Sequence, residues 1–266
     1  MAGGMHTESV RAGPSKGPSK DGGSLAKVFG LVRELGLAGA FKKIRSILLH
    51  RLHSGRLDRV VVPMDAEESA KEIPLSEVTT VGANEEHGVN YVPTPARVFE
   101  RLVAELPIRP QDYSFVDFGC GKGRLLPLAA EIGFRRVVGV EFAVELAEAA
   151  QARLAAYRQQ AGDAPGDAPE IACHTMDAAE FAIPEGPCVV FMFNPFAEPV
   201  LGKVIGNLER AHREAPRRIY AIYYNPAHVE LFEGSKLFRR RDLSLSTRSY
   251  LAALSPYKAE IFQSHD

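Results

Sequence analysis

Three carboxylates stand where apolar segments of the sequence end. Asp117 ends one run, Glu141 ends the run that starts at Val137, and Asp177 follows the next one. A carboxylate neutralises an ammonium group and accepts hydrogen bonds from hydroxyl and amino groups. Glu141 could therefore accept both hydroxyls of a ribose, and Asp177 the amino group of an adenine. Taken singly, each acid could be a helix cap or a surface residue; at successive strand ends they indicate one ligand site.

Three glycines follow Asp117 at alternate positions, Gly119, Gly121 and Gly123. They stand where a strand ends and a helix begins, so they permit a tight turn and a close approach of the backbone to a ligand. The spacing differs from the Gly-x-Gly-x-x-Gly that cradles a pyrophosphate. Asp117 beside the loop would favour a ligand ammonium and repel phosphates, which disfavours NAD and ATP.

The elements around these residues alternate between strand and helix patterns. Strands alternating with helices predict a parallel sheet that is covered on both faces. The last two segments have no helix between them, which predicts an antiparallel pair of strands. Thr94 is predicted to cap the helix that precedes the first strand. The predicted strands are Tyr113 to Phe118, Arg136 to Glu141, Glu170 to His174, Cys188 to Phe193, Arg217 to Tyr224, Leu237 to Leu243 and Ser249 to Leu254.

The motifs around these strand ends resemble those of a known enzyme family. Val-Asp-Phe-Gly-Cys-Gly-Lys-Gly-Arg at 116–124, Val-Val-Gly-Val-Glu at 137–141 and Asp177 resemble the first three motifs of class I S-adenosylmethionine-dependent methyltransferases. The resemblance covers roughly residue 91 to the end. It implies a Rossmann-like α/β fold with a seven-stranded, mostly parallel sheet, an antiparallel last strand and helices on both faces.

The same resemblance implies S-adenosyl-L-methionine as the cofactor, with the glycine loop at its methionine portion, Glu141 at its ribose and Asp177 at its adenine. No metal is expected. The predicted cofactor contacts are Tyr91, Thr94, Asp117, Phe118, Gly119, Cys120, Gly121, Gly123, Glu141, Phe142, Asp177, Ala178 and Asn194.

The fourth strand ends in Asn194-Pro195-Phe196, which resembles the Asn/Asp-Pro-Pro-Tyr/Phe motif of methyltransferases that act on nitrogen atoms, with one proline missing. The Asn194 carboxamide oxygen could accept a hydrogen bond from an amine and orient its lone pair, while Phe196 stacks or excludes water. The alternative is a simple turn after a strand.

A lead-in before the first helix, Asn90 to Pro95, could fold across the cofactor and bring Tyr91 and Thr94 to the site; a proline-fixed entry to a helix is the alternative. Tyr223-Tyr224-Asn225-Pro226 ends the fifth strand and could form the far wall of the acceptor site.

Composition limits the remaining possibilities. The chain has 266 residues, of which 45% are hydrophobic and 24% charged, as in globular proteins. Its net charge of −1 provides no general attraction for nucleic acid. The three cysteines lack a zinc-like spacing, which predicts reduced thiols. No signal peptide or membrane span is recognisable, so we expect a cytoplasmic protein.

The chain divides into three predicted parts. Residues 1–23 are expected to be a disordered tail and residues 24–90 a helical extension with an acidic linker; residues 91–266 are expected to be the catalytic domain. Basic amphipathic helices within 24–59 could contact a membrane or nucleic acid, or pack as a solvated face.

The sequence therefore predicts a methyltransferase that acts on a nitrogen of a protein side chain, lysine among the candidates, or of a small molecule, with Asn194 orienting the acceptor. Similarity to protein-lysine methyltransferases that lack a SET domain, in the Tyr/Pro lead-in and the Asn-containing strand end, supports the protein acceptor. A nucleic-acid methyltransferase and a non-catalytic module that binds the cofactor or docks a partner are the alternatives.

Overall fold

The computed structural model of the chain describes residues 77–82, 92–161, 168–255 and 257–265. The predictions made for residues 1–76, and for Tyr91, lie outside these residues. Within them, the helices are α1 (Ala96–Ala104), α2 (Leu125–Ile132), α3 (Val144–Ala161), α4 (Glu198–Glu214), α5 (Val229–Glu233) and α6 (Leu245–Leu254). The strands are β1 (Ser114–Phe118), β2 (Arg136–Glu141), β3 (Glu170–Thr175), β4 (Cys188–Phe193), β5 (Ile219–Tyr224), β6 (Phe238–Arg241) and β7 (Ala259–Ser264). Short 3-10 turns cover Pro110–Asp112 and Ala178–Glu180.

The strands form one seven-stranded sheet in the order β3-β2-β1-β4-β5-β7-β6. Pairing is parallel from β3 through to β5, and β7 runs antiparallel to both β5 and β6. Strands β1, β4 and β5 lie in the centre and are almost wholly apolar, because helices cover both of their faces. The predicted fold class is confirmed, antiparallel last strand included.

Side chains on successive strand residues point to opposite faces, so each strand contributes to two cores. Phe115 and Phe191 pack on one face against Phe99 of α1, at ring separations of 5.3 and 5.5 Å. Phe118 and Met192 belong to the opposite core, beneath α4. The chain order reverses between β1 and β4, which is where open α/β sheets bind their ligands.

The predicted strand at Ser249 to Leu254 is wrong, because this segment lies in helix α6. The true partner of β6 is β7, so the antiparallel pair exists with a helix between its strands. Ser244 caps α6 by accepting a hydrogen bond from the Thr247 N–H. Glu105, directly after α1, accepts hydrogen bonds from the hydroxyls of Ser244 and Thr247. That distant carboxylate fixes the start of the helix, so the local pattern alone was misleading.

The predicted Thr94 cap is also wrong. Helix α1 has Pro95 at its N-cap position with no side-chain cap, and the Pro95 carbonyl accepts from the N–H groups of Val98 and Phe99. Thr94 is instead buried and lines a cavity beside the glycine loop. Across the described residues, none of the helices has the length and apolar character that crossing a membrane requires.

Candidate active site

A cavity that opens to solvent lies at the carboxyl ends of β1, β2 and β4. This edge of an open α/β sheet is where such folds bind their ligands. Among the described residues that line it, the charged ones are Asp117, Glu141 and Arg124. The others are Val78, Val92, Pro93, Thr94, Gly119, Cys120, Leu125, Phe142, Ala143, Leu146, Phe191, Phe193, Pro195 and Phe196.

The glycine loop turns sharply between β1 and α2. Gly119, Gly121 and Gly123 all have positive φ, at 72, 54 and 65°, a region that residues with a Cβ rarely adopt. At Gly119 there is a second constraint, because a Cβ there would stand 2.4 Å from the Cβ of Pro195. The loop is therefore packed directly against the strand end that carries Asn194.

Glu141 is buried and binds the glycine loop. Its carboxylate accepts hydrogen bonds from the N–H of Gly121 at 2.7 Å and from the N–H of Ala143 at 2.9 Å. Burial raises the pKa of Glu141, and these backbone donors partly offset the rise. The N–H of Phe142 also lowers the pKa of Glu141. A carboxylate has about four acceptor positions, so acceptor capacity remains for a hydroxyl group of a ligand.

Asp117 is 3% exposed and lines the same cavity. Removal from water raises its pKa to about 8, and the negative charge of Glu141 adds to the rise. The carboxyl group is therefore mostly protonated at neutral pH unless a cation stands beside it. A ligand ammonium would supply that cation.

Asp177 also lies at the expected strand end, but it is not among the described residues that line the cavity. It is buried and accepts a hydrogen bond from the Ala179 N–H at 2.9 Å, which caps the 3-10 turn after β3. Gly82 lies directly against it, since a Cβ on Gly82 would stand 2.8 Å from the Asp177 Cβ.

Residues 77–82 form a short strap along the start of α3. The Val81 N–H donates to the Phe142 carbonyl at 2.9 Å, and the Val144 N–H donates to the Thr79 carbonyl at 2.8 Å. Val78 in this strap lines the cavity. The strap therefore runs from the cavity, which Val78 lines, to Asp177, which Gly82 contacts.

Cys120 of the glycine loop contacts Cys173 of β3, with their sulfur atoms 3.6 Å apart. The hydrogen bond to Cys173 and burial hold the pKa of Cys120 well above its ordinary value. Gly139 on β2 leaves room for this thiol, because a Cβ there would stand 2.7 Å from the Cys120 sulfur. The contact between these two thiols therefore helps to hold the glycine loop against β3.

Asn194 turns the chain at the rim of the cavity with a φ of 41°, which asparagine tolerates better than most residues. Its side-chain oxygen accepts a hydrogen bond from the Tyr223 hydroxyl at 2.9 Å. Pro195 and Phe196 line the cavity, whereas Asn194 is not among its described lining residues. Tyr223, considered from sequence as a far wall, is instead buried behind Asn194.

The structure brings together some predicted cofactor residues and sets others back from the cavity. Thr94, Asp117, Gly119, Cys120, Glu141 and Phe142 line it. Not in that lining are Phe118, Gly121, Gly123, Asp177 and Ala178, which lie in the packing and turns behind it.

Among the residues that line the cavity, Arg124, Phe191, Phe193 and Val78 were not predicted from the sequence. Arg124 is 7% exposed and follows the third glycine of the motif, so its position was a usable signal. Phe191 and Phe193 are inward residues of β4 that resemble ordinary core. Val78 gave no signal, since it reaches the cavity only through the strap.

The chain was compared with known proteins. No protein-family model and no curated protein sequence matches it. Among solved structures, a ribosomal protein L11 methylase from Lactobacillus delbrueckii subsp. bulgaricus is 13% identical, with 64% of this chain and 77% of that chain covered and a TM-score of 0.40. Magnesium protoporphyrin IX methyltransferase from Synechocystis PCC 6803, with bound SAM, is 20% identical, with 64% and 76% covered and a TM-score of 0.40.

An RNA methyltransferase from Salinibacter ruber, in complex with S-adenosyl-L-homocysteine, is 21% identical, with 65% of this chain and 92% of that chain covered and a TM-score of 0.40. Independently of these likenesses, the strand order with an antiparallel β7, and the glycine loop where that order reverses, match what the sequence motifs implied. The chain therefore has the Rossmann-like α/β fold that those motifs implied.

Proposed function

We propose that this chain is an S-adenosylmethionine-dependent methyltransferase that methylates a nitrogen of a protein side chain or small molecule. The observation that carries the proposal is the set of charges around one cavity: Asp117, Glu141 and Arg124. S-adenosylmethionine presents an ammonium, a carboxylate, a sulfonium and two ribose hydroxyls. Two acidic groups and one guanidinium complement that pattern, so the residues fit this cofactor.

Each charged residue receives one role in the proposal. Asp117 holds the ammonium, because a cation stabilises its otherwise unfavourable buried charge. Arg124 binds the carboxylate, for which a planar guanidinium is well suited. Glu141 accepts from the ribose hydroxyls with the acceptor capacity that its backbone donors leave.

Further contacts complete the proposed cofactor site. Asp177 and Ala178 would receive the adenine at the end of β3, and Thr94 and Tyr91 of the lead-in would cover the methionine portion. When bound, the cofactor supplies a sulfonium methyl group that a nitrogen lone pair takes up, with the electron pair of the broken bond passing to sulfur.

The rim at the end of β4 supplies the acceptor half of the site. The Asn194 carboxamide oxygen accepts a hydrogen bond from the acceptor nitrogen and so directs its lone pair. Phe193, Pro195 and Phe196 form an apolar wall beside it. Alignment with exclusion of water is most of what methyl transfer to a good nucleophile needs.

Calorimetry with S-adenosylhomocysteine tests the cofactor half. The wild type is expected to bind, and Asp117→Ala is expected to bind much more weakly. Asp112→Ala is the matched control, because Asp112 is an exposed acid paired with Arg109. Unchanged affinity in Asp117→Ala would remove Asp117 from the proposal.

Transfer of labelled methyl from the cofactor into a cell extract tests the reaction, with mass spectrometry of the labelled product. Label on a protein side chain or a small amine is the expected result. Label confined to RNA or DNA would replace the proposed acceptor with a nucleic acid. If no fraction is labelled while the cofactor binds, the chain is a binding module.

A further inference from the structure

The side chain of Tyr223 lies directly behind Asn194. Tyr223 is the fifth residue of β5 and is 1% exposed, with its ring 6.0 Å from that of Phe232. Strand β5 pairs in parallel with β4, so Tyr223 stands beside Met192 and close to the residue at which β4 ends. Its ring is therefore fixed by packing, and only its hydroxyl reaches the rim.

The hydroxyl of Tyr223 has no freedom to change its hydrogen-bond roles. Its oxygen accepts from the backbone N–H of Ala227 at 3.2 Å and from that of His228 at 3.4 Å. A hydroxyl has two acceptor positions and one proton, so both acceptor positions are taken. The proton must be donated, and it goes to the Asn194 Oδ1 at 2.9 Å.

This arrangement determines which way the Asn194 carboxamide faces. A backbone N–H cannot accept a hydrogen bond, so the loop after β5 forces the phenol to be a donor, and the phenol requires an oxygen opposite it. The Asn194 Oδ1 therefore faces Tyr223, and the amide nitrogen faces away. Burial raises the pKa of Tyr223, so the hydroxyl keeps its proton at any ordinary pH.

We propose that Tyr223 is a positioning residue that orients the Asn194 carboxamide, leaving the second lone pair of Oδ1 available to the acceptor nitrogen. This inference rests on the proposed function of Asn194. The backbone of Asn194 is held separately, by the packing of Pro195 on Gly119. At Asn194, Tyr223 thus acts on the side chain, and it also accepts from two N–H groups of the loop after β5.

The first test measures orientation without any reaction. The chain has five asparagines, so 15N-asparagine labelling gives few side-chain amide signals, and Asn194→Ala identifies the relevant pair. In the wild type the Asn194 amide should be rigid, with an order parameter of about 0.8, and in Tyr223→Phe it should fall below about 0.6. An amide that stays rigid in Tyr223→Phe would overturn the proposal.

The matched control is Tyr224→Phe. Tyr224 is the next residue of β5 and is also fully buried. Its hydroxyl forms a buried hydrogen bond with the Ser255 hydroxyl, with the two oxygen atoms 2.8 Å apart. It lies in the opposite core from Tyr223. This variant should leave the Asn194 amide signals unchanged, and so separates positioning from a general loss of stability.

The second test uses single-turnover transfer of labelled methyl into extract, at saturating S-adenosylmethionine. Tyr223→Phe should slow transfer about fivefold, the value of one ordinary hydrogen bond, and leave S-adenosylhomocysteine affinity unchanged. Adding Tyr223→Phe to Asn194→Ala should cause no further loss, because Tyr223 acts through Asn194. An additive loss in the double variant would contradict the proposal.

Failure of the proposed function of Asn194 and failure of the positioning role of Tyr223 give different results. If the wild type transfers no methyl group, or Asn194→Ala transfers at the wild-type rate, the proposed function of Asn194 fails and positioning for catalysis falls with it. If Asn194→Ala is impaired and Tyr223→Phe is not, the proposed function stands and the role of Tyr223 is refuted.

Discussion

The carboxylate of Glu141 accepts a hydrogen bond from the backbone N–H of Gly121 at 2.7 Å. Glu141 ends β2 and Gly121 is the middle glycine of the loop after β1, so this bond joins two neighbouring strand ends. Its other oxygen accepts from Ala143, at the start of the segment that follows β2. One side chain therefore sets the loop conformation that the proposed cofactor site requires.

Glu141→Gln should weaken binding of S-adenosylhomocysteine by about 10- to 100-fold, the range for a lost hydrogen bond to a charged group. Both oxygens of Glu141 face N–H donors, so the amide nitrogen of glutamine must oppose one of them. Isothermal calorimetry measures the loss. Glu214→Gln is the control, because Glu214 is an exposed acid at the end of α4. Equal affinity in wild type and Glu141→Gln would contradict this role.

Asp117 should make the unfolding free energy depend on pH. Its pKa in the folded chain is about 8, whereas an aspartate in the unfolded chain titrates near about 3.9. Between these values the folded state holds a proton that the unfolded state has released, so this group favours folding at low pH and stability falls as pH rises through the window. Above about pH 8 no further change is expected.

Asp117→Asn should remove this slope, so its stability relative to the wild type should increase between about pH 4 and about pH 8. Urea unfolding at several pH values measures the difference. Asp112→Asn supplies the comparison, since that acid is exposed. Parallel stability curves for wild type and Asp117→Asn would show that Asp117 is already ionised in the folded chain.

The same protonated carboxyl predicts proton release on cofactor binding. Near pH 7 the Asp117 carboxyl holds a proton in the free protein, and a ligand ammonium beside it would favour the ionised form. Binding of S-adenosylhomocysteine should therefore release close to one proton, seen as a binding enthalpy that differs between phosphate and Tris buffers. Asp117→Asn should show no such difference, and a buffer-independent enthalpy in the wild type would argue against the ammonium assignment.

The strand ends that carry the site could be predicted because local sequence determines them. Strands β2 and β4 are continuous apolar runs closed by Glu141 and Asn194, and their predicted bounds agree with the structure. The Tyr223 contact could not be predicted in the same way, since it depends on the register of β5 against β4. The contact between Gly82 and Asp177 could not be predicted either, because these two residues are distant in sequence.

Gly139→Ala should destabilise the fold and weaken cofactor binding together. The added Cβ would stand 2.7 Å from the Cys120 sulfur and 2.8 Å from the Leu126 Cδ1. Overpacking of this kind costs about 1–3 kcal/mol, and here it pushes on the glycine loop. Cys120→Ala removes the sulfur, so the double variant should recover much of the loss.

Thermal unfolding and S-adenosylhomocysteine affinity measure both effects of Gly139→Ala. Gly202→Ala is the control, because a Cβ at that exposed position of α4 would meet nothing within 4 Å. That variant should be neutral or slightly stabilising, as alanine favours helix. Additive losses from Gly139→Ala and Cys120→Ala would show that the sulfur is not the obstacle.

Asp177 permits a test that separates its capping role from its proposed contact with adenine. Asp177→Asn keeps an oxygen for the Ala179 N–H, so the stability of the chain should change little. The remaining oxygen becomes an amide donor, which opposes the adenine amino group. S-adenosylhomocysteine affinity should therefore fall about tenfold or more, because a donor is left without an acceptor.

S-inosylhomocysteine, in which a carbonyl replaces the adenine amino group, should show the reverse preference. The wild type should bind it more weakly than S-adenosylhomocysteine, and Asp177→Asn should regain affinity because its amide can donate to the carbonyl. Calorimetry with both ligands and both proteins gives the complete cycle. The same ratio of affinities in the two proteins would place the adenine elsewhere and leave Asp177 with its role as the cap of the 3-10 turn.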